Sequence, residues 1–233
     1  KTGMIVSGLI PLQLFNQQVY KNRGLETYCL LKRCDDVGKW YQSIGYAFEP
    51  AQKQEATFKE DYKQTTHRGG PQYRSPNIAR VWNFESVAGL KIQLIGTRII
   101  PEAVVLEFHS TCIMNILTQK AAYALFPYIT FKQQATLLVN AKGELLRKYK
   151  STRKKYKHHG FKVERLPDIE QIVGKHRELG FATPQWIGDS KIWKHEVEYF
   201  GPGMVQPDNV QRVSWDMIYD PSRMLPSAVT SCV

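Results

Sequence analysis

Two short stretches near the start of the chain carry residue types that could handle a phosphate group. Ser7 and Gly8 close a short apolar run, and the apolar residues between positions 9 and 18 recur at helical spacing, so this order predicts a strand, a tight turn and a helix. Residues 25–31 predict a buried strand that contains Glu26. Carboxylates at positions i and i+2 of a strand point the same way, so a pair of them can hold a divalent metal against a triphosphate. This strand supplies one carboxylate, which raises the question of whether the two stretches are the remains of a phosphate site.

A second candidate site is strongly basic. Residues 141–165 hold ten lysines and arginines against two glutamates, so they carry eight of the eleven net positive charges of the chain. Their apolar positions recur every three or four residues, which predicts an amphipathic helix over residues 141–160 with its cations facing outward. A face of nearly one sign repels itself unless an anion neutralises it, so we expect this helix to bind a polyanion such as nucleic acid. The candidate contact residues are Arg147, Lys148, Lys150, Arg153, Lys154, Lys155 and Lys157.

The composition and the motif content narrow the class of protein. At 233 residues and 42% hydrophobic, the chain is long enough for one large domain or one domain with an appendage. The net charge of +11 and the pI near 9.4 favour a polyanionic partner. The sequence has none of the P-loop, dinucleotide-binding or hydrolase-type serine motifs, and its histidines and cysteines lack zinc-binding spacing. We therefore expect no cofactor and no bound metal.

The cysteines and the hydropathy pattern bear on the cellular location. The four cysteines show no pairing pattern, which indicates reduced thiols in an intracellular protein of the cytoplasm or the nucleus. No run approaches the roughly 18 apolar residues of a membrane span, so no membrane association is expected. The chain begins at Lys1 without an initiator methionine, and the sequence leaves open whether residues precede it.

The remaining pattern predicts the elements that must position these residues. A helix starts near Cys34 and is ended by Gly45, and a strand follows it. Three further pieces are predicted: a hairpin over residues 78–84 and 90–95, a helix over residues 101–108, and two short core helices over residues 110–131, separated near Thr118. Together these elements predict an α+β fold, a mixed sheet flanked by helices, over residues 1–135.

Three regions fall outside that predicted body. Residues 49–76 have few apolar anchors and predict a mobile insertion that is not part of the core. Residues 136–180 predict a basic helical region. Residues 181–233 predict an extended tail packed on the body, anchored by three tryptophans: Trp186, Trp193 and Trp215.

Several strings resemble a group of fungal proteins whose amino-terminal half looks like a nucleotidyltransferase-fold domain. The resemblance covers most of residues 4–195 and is carried by IVSGLIPLQLF, LETYCL, CDDVGKWYQSIGYAF, KIQLIGTR, FHSTCIMNILTQKAAYALFPYITF, KKYKHHGFKVERLP and WIGDSKIW. In that family the first motif reads Ser-Gly-Ser, and the second places two aspartates one residue apart on a strand. The resemblance therefore implies a nucleotidyltransferase-like mixed sheet with a helical and extended carboxyl-terminal region.

The chain departs from the family at the catalytic positions. The resemblance places Gly24 and Glu26 at the two aspartate positions, Leu9 at the second motif serine, and Gln93 at the third carboxylate. One carboxylate of three remains, which implies a degenerate cleft. Its residues are Ser7, Gly8, Leu9, Gly24, Glu26 and Gln93.

Three functions remain open at this point. The leading hypothesis is a catalytically inactive nucleotidyltransferase-fold protein that binds nucleic acid or a nucleotide through the basic helix. The alternative is a structural or self-assembling protein, a homo-oligomer that uses the fold as a building block. The third is a residual transferase in which Asp35 or Asp36 assists Glu26.

Overall fold

Thirteen strands and a few short helices make up the part of the chain that the computed structural model describes, which is residues 2–20, 24–68, 73, 75–139, 153–164, 184–197, 209–220 and 225–232. The strands are β1 (Ile5–Ser7), β2 (Leu25–Leu30), β3 (Tyr46–Glu49), β4 (Ile78–Ser86), β5 (Lys91–Thr97), β6 (Asn115–Leu117), β7 (Ala121–Ala124), β8 (Ala135–Leu137), β9 (Lys162–Glu164), β10 (Gln185–Trp186), β11 (Trp193–Glu196), β12 (Val213–Asp220) and β13 (Leu225–Cys232). The α-helices are α1 (Leu9–Asn16), α2 (Cys34–Ser43), α3 (Phe58–Arg68) and α4 (Pro101–Leu106), and residues 153–158 are also helical. We call residues 153–158 the basic helix.

Eight of the strands form one mixed sheet in the order β11-β7-β6-β1-β2-β5-β4-β3. Within it β2 and β5 are parallel, and the other neighbours are antiparallel. Strands β10, β12 and β13 form a second sheet, and β8 pairs with β9. The predicted α+β class, a mixed sheet flanked by helices, is confirmed. The predicted elements of the first 48 residues, the hairpin of β4 and β5, and α4 also lie where the sequence predicts them.

The prediction of two core helices over residues 110–131 is wrong. This stretch contains a 3₁₀ turn (Thr111–Ile113), the hairpin of β6 and β7, and a π-helical turn (Tyr128–Lys132). At the hairpin turn the Thr118 Oγ1 accepts the backbone N–H groups of Lys120 and Ala121, each at 3.1 Å. This side-chain contact closes the turn of the hairpin and offers the backbone an alternative to helical hydrogen bonds at Thr118.

The prediction that residues 49–76 lie outside the core is also wrong. Helix α3 occupies the middle of this stretch, and Phe58 and Asp61 are buried. Phe58 packs edge-on against Trp82 of β4, with ring centroids 5.4 Å apart. The Asp61 carboxylate accepts hydrogen bonds from the Arg80 guanidinium and from the indole N–H of Trp82. These contacts hold α3 against the large sheet.

The carboxyl-terminal region adds one strand to the large sheet and supplies all three strands of the second sheet. Strand β11 pairs with β7 at one edge of the large sheet, and β12 pairs with β13. Of the three tryptophans expected to be anchors, Trp215 is fully buried, whereas Trp186 and Trp193 keep 48% and 38% of their surface exposed. No helix in the described ranges is both long and apolar enough to cross a membrane.

A small apolar cluster supports the candidate site. We call it the Tyr156 cluster, and its buried members are Leu12, Tyr20, Cys112, Ile113, Tyr156 and Phe161. Leu9, Phe108, Phe131 and Val163 pack against it. It therefore joins the start of α1 to the basic helix.

Candidate functional site

The turn between β1 and α1 places its two small residues differently from a phosphate loop. Ser7 is fully buried, and its hydroxyl donates a 2.6 Å hydrogen bond to the backbone carbonyl of Asn115 on β6. The hydroxyl is therefore committed to joining two strands and does not face a ligand. Gly8 has φ 84° and ψ −134°, a conformation that favours glycine.

Strand pairing brings three of the predicted cleft residues to one level of the sheet. Glu26 lies opposite Ser7 on β1 and opposite Gln93 on β5. Its carboxylate packs directly on Gly8, since a Cβ added to Gly8 would lie 2.7 Å from the Glu26 Oε2. The backbone conformation therefore favours glycine at position 8, and a larger residue there would displace the Glu26 carboxylate. A phosphate approaching the start of α1 would meet a negative group there.

The Glu26 carboxylate has one polar partner on its own strand. The Tyr28 hydroxyl, two residues along β2, donates to Glu26 Oε2 at 3.1 Å. Burial raises the pKa of Glu26, while this hydrogen bond and the charge of Lys155 act in the opposite direction. Burial and the neighbouring Glu26 raise the pKa of Tyr28 well above its ordinary value. Tyr28 is thus a neutral hydrogen-bond donor, and Glu26 is a carboxylate shielded from solvent.

The other predicted cleft residues do not add ligands to Glu26. The Gln93 side chain donates to the Asn83 Oδ1 at 2.9 Å on the neighbouring strand β4. Leu9 packs on the Tyr156 cluster, and Gly24 lies in a surface depression beside Tyr46 and Leu90. Within the described ranges, no group of three or more histidine, cysteine, aspartate or glutamate side chains could hold a metal ion.

The basic helix is anchored by one buried side chain. Tyr156 is 1% exposed, and its hydroxyl lies 3.3 Å from the His109 Nε2. The turn after the helix contains Gly160, whose φ is 86°, and the N–H of Phe161 bonds back to the Tyr156 carbonyl at 2.9 Å. Four of the predicted contact residues are exposed on this helix: Arg153, Lys154, Lys155 and Lys157. The other three, Arg147, Lys148 and Lys150, lie outside the described residues, as does most of the predicted helix.

The basic helix and the Glu26 turn belong to one region of the protein. The charge of Lys155 opposes the upward shift of the Glu26 pKa and adds to the downward shift of the His109 pKa, so it acts on the turn and on the support of the helix. Leu9 and Tyr156 meet in the same apolar cluster. The arrangement is a cationic surface beside a single shielded carboxylate.

His109 gives this region a defined response to acid. Burial, with a smaller contribution from the charge of Lys155, lowers the pKa of His109 from 6.5 to about 4. A lowered histidine pKa stabilises the folded state at pH values above 6.5, and that contribution is lost as the pH falls through about 4. We expect His109 to account for a loss of at most about 3 kcal/mol over this range. Urea denaturation of the wild type and of His109→Gln, at neutral pH and near the lower limit, would show a flatter pH dependence in the variant.

Glu26 supplies the control for that measurement. Its pKa is raised, so Glu26 favours folding more as the pH falls and partly offsets His109. Glu26→Gln should therefore steepen the acid-induced loss that His109→Gln flattens. Equal pH profiles for the wild type and His109→Gln would show that this imidazole is as well solvated in the folded protein as in the unfolded chain.

Comparison with family models, with curated proteins and with solved structures finds no match for the chain. The resemblance to nucleotidyltransferase-fold proteins therefore stays a prediction.

Two residues of the site were missed by sequence reasoning. Tyr28 stands two positions after Glu26 on a predicted strand. Because alternate strand residues point to the same face of a sheet, the sequence does predict that these two side chains are neighbours. His109 lies 47 residues from Tyr156. No local pattern joins these two, because their contact depends on how the basic helix docks.

Proposed function

We propose that the protein binds nucleic acid through the outward face of the basic helix. The observation that supports this most is the row of four exposed cations on a helix whose orientation the buried Tyr156 fixes. Among the ion pairs of the described residues, none includes Arg153, Lys154, Lys155 or Lys157. Their charge is available to phosphates, and neutralising phosphates releases counterions from a nucleic acid.

Nucleotidyl transfer has less support than binding. The only carboxylate at the turn among the described residues is Glu26, and the Ser7 hydroxyl is bonded inside the sheet. The two acidic residues that could assist lie in the first turn of α2, where Asp35 pairs with Lys39 and Asp36 lies 3.9 Å from Arg33. Both aspartate carboxylates are therefore engaged with basic side chains that are three or four residues away in sequence.

Self-assembly is a second candidate because the chain exposes apolar side chains at one end of the sheet. Ile44 directly follows α2, Val87 and Leu90 lie in the turn between β4 and β5, and Trp40 is half exposed. Pairing of Tyr46 with Ser86 brings the end of α2 next to that turn. Exposed apolar side chains close together are typical of contact surfaces between proteins.

The test compares two variants that each lose four positive charges. The site variant changes the four exposed cations of the basic helix to glutamine. The control variant does the same at four exposed lysines elsewhere, Lys32, Lys53, Lys59 and Lys63. Binding of fluorescein-labelled strands and duplexes is measured by anisotropy across a series of salt concentrations.

The site variant should bind more weakly at every salt concentration, with a log–log salt slope about three units shallower than the wild type. The control variant should keep a slope close to the wild type, because its charges do not contact phosphates. If both variants behave alike, the basic helix is not the contact surface. Sedimentation of the wild type would then test the assembly candidate.

A further inference from the structure

We infer that the nucleic acid is single-stranded and that Trp193 stacks on one of its bases. This inference rests on the proposed function and adds the ligand class. Trp193 opens β11, which forms an edge of the eight-stranded sheet, and 38% of its surface is exposed.

The indole ring of Trp193 is held in one orientation. The ring of Phe131 stacks on it, with centroids 5.5 Å apart and planes 17° from parallel. Phe131 is itself held by Phe15, whose ring centroid is 5.6 Å away. A preorganised aromatic ring loses little conformational freedom when a base stacks on it, so such rings suit base recognition.

One lysine lies against this ring, and two others are its neighbours in sequence. The Lys132 Nζ lies 5.7 Å from the centroid of the Trp193 ring, and Lys132 is exposed. Lys191 and Lys194 are also exposed on either side of Trp193 in sequence, and Lys194 pairs with Glu196. An aromatic ring flanked by lysines matches a base flanked by phosphates.

The Trp193 ring and the basic helix rest on the same apolar cluster. Phe131, which stacks on Trp193, also packs against the Tyr156 cluster. Tyr156 fixes the basic helix in that cluster. The two cationic surfaces therefore share one structural support, and the inference is that a single strand contacts both of them.

The geometry favours a single strand over a duplex. Bases inside a duplex are already stacked on their neighbours, so a protein ring cannot reach their faces without breaking pairs. A stacking platform is useful only where bases are unpaired, and every base offers a face to it. The expected ligand is single-stranded DNA or RNA with little sequence preference.

The experiment uses the full chain and four fluorescein-labelled probes of about 15 nucleotides. These are oligothymidylate, oligouridylate, an abasic strand with the same backbone, and a duplex. The variants are Trp193→Ala, Trp193→Phe and the control Trp186→Ala, which removes an indole that is 48% exposed on β10. Thermal denaturation of each variant verifies that it is folded.

Trp193→Ala should weaken binding to oligothymidylate, to oligouridylate or to both by about ten-fold or more, and Trp193→Phe should retain most of the affinity. Binding of the abasic strand and of the duplex should change by less than about two-fold, because neither probe offers a free base to stack. The ratio between the two unpaired probes separates a preference for DNA from one for RNA. Trp186→Ala should bind all four probes like the wild type.

Two results would overturn the inference while leaving the proposed function in place. One is unchanged affinity of Trp193→Ala for both unpaired probes, with the site variant of the basic helix still defective. The other is an equal loss on the abasic strand, which would assign Trp193 to backbone contact or to folding. Normal binding by the site variant of the basic helix would instead reject the proposed function.

Discussion

Replacing Asp61 by alanine should lower the free energy of unfolding by about 3–5 kcal/mol. Asp61 is fully buried, and its carboxylate accepts hydrogen bonds from Arg80 Nε at 2.8 Å, Trp82 Nε1 at 2.7 Å and the Glu55 N–H at 3.0 Å. Arg80 is 6% exposed, so removing the carboxylate leaves a buried guanidinium without its counter-charge. The stability measured by urea denaturation should fall accordingly.

The matched comparison removes both charges. Asp61→Leu combined with Arg80→Met should cost less than Asp61→Ala alone, because no buried charge is left unpaired. Asp35→Ala removes an exposed ion pair with Lys39 and should leave the stability almost unchanged. If Asp61→Ala were as mild as Asp35→Ala, α3 would not be fixed to the sheet in solution.

Replacing Trp215 by alanine should also cost about 3–5 kcal/mol. Trp215 is fully buried in the main apolar cluster, and its ring meets Phe126 edge-on with centroids 6.1 Å apart. Truncation at this position would remove transfer free energy and leave a cavity between β12 and the body. A single cooperative urea transition at a lower midpoint is the expected result.

Two further tryptophan variants sharpen this prediction. Trp186→Ala should have a small effect, since nearly half of that side chain is exposed. Trp215→Phe should be milder than Trp82→Phe, because the Trp215 indole N–H has no hydrogen-bond partner in the described structure while that of Trp82 bonds to Asp61. An unchanged midpoint for Trp215→Ala would mean that β12 unfolds independently of the body.

Local pattern was sufficient for the elements whose period and boundaries agree. β2 was predicted because residues 25–31 are apolar and rich in residues that favour strands, and α2 because apolar positions at helical spacing end at Gly45. Both lie within a residue or two of the predicted limits. Neither needs a distant contact to define its type.

Local pattern did not predict the right element where a helix and a hairpin fit the same composition. The apolar residues around Thr118 fit a buried helix as well as a buried hairpin, and the decision depends on pairing of β6 with β1. For α3 the sequence does carry a local signal, at the start of the helix. Thr57 and Glu60 have the Thr-x-x-Glu spacing of a helix start, and the Thr57 Oγ1 accepts the Glu60 N–H at 3.3 Å and donates to the Glu60 carboxylate at 2.7 Å.

Some features of the candidate site can likewise be predicted from the sequence, and others depend on the fold. The exposed cations of the basic helix follow from charge and spacing alone. The contact of Glu26 with Gly8 depends on the register of β1 and β2, which a residue list does not contain. The cluster beneath the basic helix combines side chains from α1, from the 3₁₀ turn and from the helix itself. Such a cluster can be identified only from the folded chain.

The position of β1 inside the sheet has a consequence for synthesis on the ribosome. β1 pairs with β2 on one side and with β6 on the other, and the hydrogen bond from Ser7 to Asn115 spans 108 residues. At ordinary elongation rates, on the order of 5 to 20 seconds pass before β6 emerges. During that interval the nascent chain presents an unpaired strand edge, which a chaperone or a second nascent chain can meet first.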